Sequence, residues 1–92
     1  MPYIKLEDRF KYDKILEELK EILLNLPPEK LAGELNYLMT SIAHIATVGD
    51  STKTNYRRFN EVMGVLESCK QELYRRQIIP YEDKKILENG DV

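Results

Sequence analysis

The sequence predicts an all-α fold: a small bundle of three main helices, a short C-terminal helix and an N-terminal arm, in one domain over residues 1–92. Three observations predict it. Apolar residues recur at one-face helical spacing along three long stretches. Pro27-Pro28, Gly49-Asp50 and Pro80 punctuate the gaps between those stretches and the tail. The composition, with 42% hydrophobic and 33% charged residues but four Gly, four Pro and no Trp, suits amphipathic helices better than a turn-rich sandwich. A chain this short buries only a modest part of its surface, so a second copy or a partner is expected to supply extra core.

The elements follow in chain order. MPYIKLE has Tyr3, Ile4 and Leu6 as its apolar content and reads as an extended arm. The first helix runs from about Asp8 to Leu26, with Ile15, Leu16, Leu19, Ile22, Leu23 and Leu26 on one face and Glu17, Glu18, Lys20 and Glu21 on the other. Asp8 and Asp13 are both candidate caps. Pro27-Pro28 ends this helix, because the residue before a proline avoids helical geometry.

The second helix opens at Pro28 or Glu29, where a proline is tolerated, and reaches about Thr47. Gly33 costs it about 1 kcal/mol relative to Ala. No residue from Leu35 to Val48 carries a formal charge. Leu35, Leu38, Met39, Ile42 and Ile45 form an apolar face; Asn36, Tyr37, Thr40, Ser41, His44 and Thr47 form an uncharged polar one. An exposed helix normally carries charge outward. This helix is therefore expected to be covered on most sides, with Asn36, Tyr37, Thr40 and His44 in an interface or a pocket wall.

VGDSTKTN, residues 48–55, reads as a loop ending in helix-start chemistry. The third helix spans about Thr54 to Ile78, with Phe59, Val62, Met63, Leu66, Cys69 and Leu73 as its stripe. Pro80 is expected to break it. Tyr81–Glu88 then forms a short helix closed by Asn89-Gly90.

The third helix carries Tyr-Arg-Arg twice, as Tyr56-Arg57-Arg58 and Tyr74-Arg75-Arg76. Eighteen residues make about five whole turns, so both triplets lie on one side, about 27 Å apart. Gly64 and Ser68 lie between them as a small-residue strip that admits a close neighbour. Residues 51–76 hold six Lys/Arg against three Asp/Glu, although the whole chain is at −2. The net charge argues against a general nucleic-acid binder, and the positive field belongs to this one segment, where nucleic-acid binding by the basic helix is a third and lesser reading. Forked guanidinium donors beside aromatic faces suit an anionic ligand with a ring, such as a nucleotide. The expected ligand-binding residues are Tyr56, Arg57, Arg58, Tyr74, Arg75, Arg76 and Tyr81, with Gly64 and Ser68 at a pocket wall or interface. The competing reading is a solvated face: Arg57 stands four before Glu61, and Glu72 stands three and four before Arg75 and Arg76.

No catalytic set is visible. His44 is the single histidine and has no nucleophile or carboxylate nearby in sequence, so a satisfied buried role is expected. Cys69 lies on the apolar stripe and reads as a small core residue. One Cys and one His make no zinc set, and GDSTKT lacks phosphate-loop spacing. No enzyme, metal or cofactor is expected. A single cysteine allows no internal disulfide and fits a cytoplasmic setting. MPYIKLEDRF lacks the apolar centre of a secretory signal, and no run is long enough to cross a bilayer.

MPYIK, LNYL and EVMGVLESCKQELYRRQIIPYEDKKILENGDV resemble a family of short prokaryotic and phage proteins of unknown function. The resemblance covers nearly the whole chain and is most specific from Met63 to Val92. It implies no activity and no catalytic residues, but it implies that the tail PYEDKKILENGDV is an integral element. In format alone, the chain is also similar to small helical phage oligomers that sequester cyclic nucleotide signals of host defence. The expectation is a non-catalytic, homo-oligomeric binding protein that sequesters or senses an anionic ligand, with a ligand-free protein-interaction module as the alternative.

Overall fold

A computed structural model describes residues 4–49 and 55–92. All regular structure among them is helical. Two 3-10 turns, Leu6–Asp8 and Phe10–Tyr12, lead into α1, Asp13–Leu24. Helix α2 is Pro28–Val48, α3 is Tyr56–Leu73 and α4 is Ile79–Asn89. The first three residues of the expected arm and residues 50–54 of the expected loop lie outside the described residues.

The arm is shorter than expected. Among the described residues only Ile4 and Lys5 precede the first turn, which takes in Leu6 and Glu7 of the expected arm, and Arg9 donates from Nε to the Ile4 carbonyl at 2.9 Å. The regular α-helix starts at Asp13, and neither Asp8 nor Asp13 caps it; Tyr12 holds the cap position without a side-chain bond. The helix ends before the proline pair, where Asn25 Nδ2 donates to the Glu21 carbonyl at 2.7 Å. Pro28 opens α2 as expected, because its missing N–H is one of the four that a helix start leaves unpaired. Asn55 caps α3 by accepting from the Arg58 backbone N–H at 2.9 Å.

The C-terminal end departs from expectation. Pro80 does not break the chain into two helices. Residues Tyr74–Ile78 form a π turn, and helical geometry continues from Tyr56 to Asn89. The cause is local. Proline has no N–H for the carbonyl of Arg76 four residues back, and its ring collides with that carbonyl in an α-helix. Widening the turn relieves the collision, and Ile79 donates to the Tyr74 carbonyl five residues back. Tyr74 Oη bonds Glu82 Oε1 across this turn at 3.0 Å. Gly90 closes the helix at φ +86°, its N–H reaching the Ile86 carbonyl at 2.8 Å. At about 1.5 Å per residue the combined rod is roughly 50 Å long, and the protein measures 54 Å along its longest axis.

The main tertiary pairing is α2 against α3. Ala43, Ala46, Val62 and Leu66 are half-buried along that seam. Arg58 spans it, donating from Nε to the Ala46 carbonyl at 2.5 Å near the C-terminal end of α2. A cation there also suits the negative end of the helix dipole.

No described side chain is fully buried. Helix α2 is not covered within the chain: Tyr37, Ile42 and Ile45 are all exposed. The apolar face of α1 is open as well, at Ile15, Leu16 and Ile22. A compact chain of this length has a radius of gyration near 12 Å. This one has 16.9 Å. A folded monomer of this mass exposes about 5500 Å². This one exposes 8499 Å².

Candidate functional site

The two Tyr-Arg-Arg triplets stand at opposite ends of α3, and the chain alone does not bring them together. Each arginine has a partner within the chain. Arg57 Nε lies 3.5 Å from Glu61 Oε1, fully in solvent. Arg58 reaches the Ala46 carbonyl across the helix pair, so one expected ligand residue has a structural task. Arg75 and Arg76 both converge on Glu72 Oε1, at 2.5 and 2.6 Å. Glu72 is the more buried partner, which fixes the two guanidinium groups over one carboxylate.

The tyrosines differ from one another. Tyr56 is 81% exposed and presents an open ring. Tyr74 donates its hydroxyl to Glu82; that bond, then the nearby carboxylate charge, raises the phenol above its usual pKa. The Tyr81 ring carries Lys85 Nζ over one face at 5.6 Å.

The second triplet borders a shallow groove of about 520 Å³. Ser68, Gln71, Tyr74, Arg75 and Ile79 line it together with Glu67 and Glu72. Glu67 accepts from Gln71 Nε2 at 3.1 Å and pairs with Lys70 at 3.4 Å. The Gln71 bond, then the Lys70 charge, holds its carboxyl below the usual carboxylate range. The groove thus mixes hydrogen-bonding, cationic and acidic groups beside one apolar side chain. Gly64 lies one turn before Ser68, and a Cβ built there would meet nothing within 4 Å. The strip is open, as its small residues suggested.

Part of the uncharged polar face of α2 bonds within the helix. Thr40 Oγ1 bonds Asn36 Oδ1 at 3.2 Å, and Thr47 Oγ1 donates to the Ala43 carbonyl at 2.8 Å. His44 is exposed, contrary to expectation, and borders a shallow depression with Thr40, Thr47, Phe59 and Met63. Cys69 is also exposed instead of buried. It borders a wholly apolar trough of about 340 Å³ between Met39, Ile42, Ala43 and Ala46 of α2 and Val62, Val65, Leu66 and Cys69 of α3. Sequence reasoning had Met39, Ile42, Val62, Leu66 and Cys69 on apolar stripes, left out Ala43, Ala46 and Val65, and missed the trough. The signal was the pair of small residues Ala43 and Ala46 among large apolar neighbours.

Among the described residues no group of three His, Cys, Asp or Glu is placed to hold a metal ion. No described helix is long and apolar enough to cross a membrane. No curated protein and no solved structure matches the chain. The family does match, from end to end: this chain belongs to the family described as a domain of unknown function (DUF6899), whose model covers residues 1–92.

Proposed function

We propose that this protein is a non-catalytic binding protein that works as a homo-oligomer and holds an anionic small ligand, such as a nucleotide, where two copies meet. The observation that carries this reading is the groove at the second Tyr-Arg-Arg triplet. It offers the Arg75 guanidinium, the Tyr74 ring and the polar groups of Ser68 and Gln71 beside the carboxylates of Glu67 and Glu72, with Arg76 held next to it on Glu72, and it is open on the other side. A second copy would supply that missing wall. The open strip at Gly64 and Ser68 supports a close approach of another chain along the same side of α3. An antiparallel neighbour there would bring its first triplet beside the second triplet of its mate. Arg75 and Arg76 would grip the anion in forked hydrogen bonds, and Tyr56 or Tyr74 would stack on a ring. A phage anti-defence role, sequestering cyclic nucleotide signals in the cytoplasm, is the biological setting that this format suits.

Native mass spectrometry of gently purified protein tests both parts together. The expected result is an oligomer with added mass of nucleotide size. Calorimetric titration with nucleotides then compares the wild type with an Arg75→Ala, Arg76→Ala double variant. Loss of binding with unchanged helical content supports the reading, and equal affinity refutes it.

A second reading is a protein-interaction module without a ligand. The Glu72 clamp favours it, because a carboxylate already occupies both guanidinium groups. It predicts an assembly with no added mass, disrupted by Gly64→Leu.

A further inference from the structure

The trough between α2 and α3 is a different surface from the Arg-lined groove, and its chemistry is different. It has no charged or hydrogen-bonding side chain. We infer that a second copy of this chain occupies it, its own α2–α3 face packed against the same face, to make a four-helix core.

Three observations select a second copy as the occupant. The first is area. The chain exposes 8499 Å², roughly 3000 Å² above the value expected for a folded monomer of its mass. Obligate homodimers bury about 2000–5000 Å² in total, or roughly 1000–2500 Å² per chain, so self-association of this kind removes much of the excess and leaves surface for the ligand junction. The second is self-complementarity. A two-fold interface needs knobs and holes on one surface. Ile42 and Val65 project from it, each 59% exposed, while the half-buried Ala43 and Ala46 leave hollows beside them. The third is the continuity of the uncharged surface. Helix α2 has no formal charge from Leu35 to Val48, so two such faces meet without burying an unpaired charge. A charged heterologous partner would find no complement here.

The inference stands whether or not the Arg-lined groove takes a ligand, and its test uses none. Cys69 lies at the edge of the trough and is the chain's one thiol. Wild-type protein is reacted with a maleimide, natively and in urea, and its mass is followed by sedimentation equilibrium. The expected result is an assembly in which Cys69 reacts at least tenfold more slowly than in the unfolded chain. Ala46→Glu and Val65→Glu, made separately, place a charge in the hollow and on the knob. Each is expected to lower the mass and restore rapid labelling, and Val65→Glu serves where Ala46→Glu does not fold. A helical wild-type monomer would overturn the inference. So would an assembly in which native Cys69 reacts as fast as in urea, since the trough would then be uncovered.

Discussion

Two mid-helix glycines permit a quantitative test of whether their surroundings are open. Gly33 in α2 and Gly64 in α3 both sit in regular helix, and a Cβ at either would meet nothing within 4 Å. Replacing each with Ala adds no clash and removes backbone freedom from the unfolded chain. The expected gain is about 0.5–1 kcal/mol per site. Unfolding entropy scales with chain length, so 1 kcal/mol moves the midpoint of a chain this long by roughly 5 °C. Each variant should therefore melt about 3–5 °C higher. The pair should add, because the two glycines are on different helices and share no partner. The assay is thermal unfolding followed by circular dichroism, with all variants at one protomer concentration, since assembly makes the midpoint depend on it. Loss of stability in Gly64→Ala would refute the reasoning of open space at that strip. If Gly33→Ala still gained, the loss would report a neighbouring chain closer to Gly64 than a methyl group allows.

Other outcomes follow from single contacts. Asn55→Ala should lower stability by about 1 kcal/mol through loss of the α3 cap, with Asn55→Asp close to wild type; equal denaturation midpoints for all three would contradict the capping role. Glu72→Gln should tighten nucleotide binding if Arg75 and Arg76 form a ligand site, because it removes the competing negative charge; unchanged or weaker binding counts against that site. Tyr74 should ionise above the exposed tyrosines in an ultraviolet titration, and Glu82→Gln should bring it down to them. Because the folded pKa is raised, the Tyr74–Glu82 contribution is present below the unfolded value and is lost as pH rises through the folded one. A Tyr74 that titrates with the rest would remove this account.

Much of the secondary structure was legible because its signals are local. The proline pair, Asn55 before α3 and Gly90 after α4 each act on backbone within a few residues of themselves, so short-range chemistry suffices to predict a boundary. Pro80 was misread for an equally local reason. A proline in a helix has two outcomes, a break or a widened turn, and the surrounding residues do not distinguish them. The first turns were misread because two acidic residues suited a cap that the backbone does not form. Burial was the least legible feature. Periodicity identifies the apolar face of α2, the stripe holding Cys69 and the row holding His44, but says nothing of what covers them. The Glu72 pairings were visible as three- and four-residue spacings. The Arg58 link to Ala46 joins residues twelve apart in sequence and left no such trace.

The π turn at Tyr74–Ile78 has a consequence for the rod's angular phase. It takes up one more residue than an α-helical turn, and one residue is about 100° of rotation. Everything after it is therefore rotated about the helix axis by roughly a quarter turn from the continuation that α3 alone would set. Residues 79–89 therefore do not continue the register of the α3 stripe. The proline thus works as a twist placed between two stretches of one helix, letting a single rod offer differently oriented faces to two sets of neighbours.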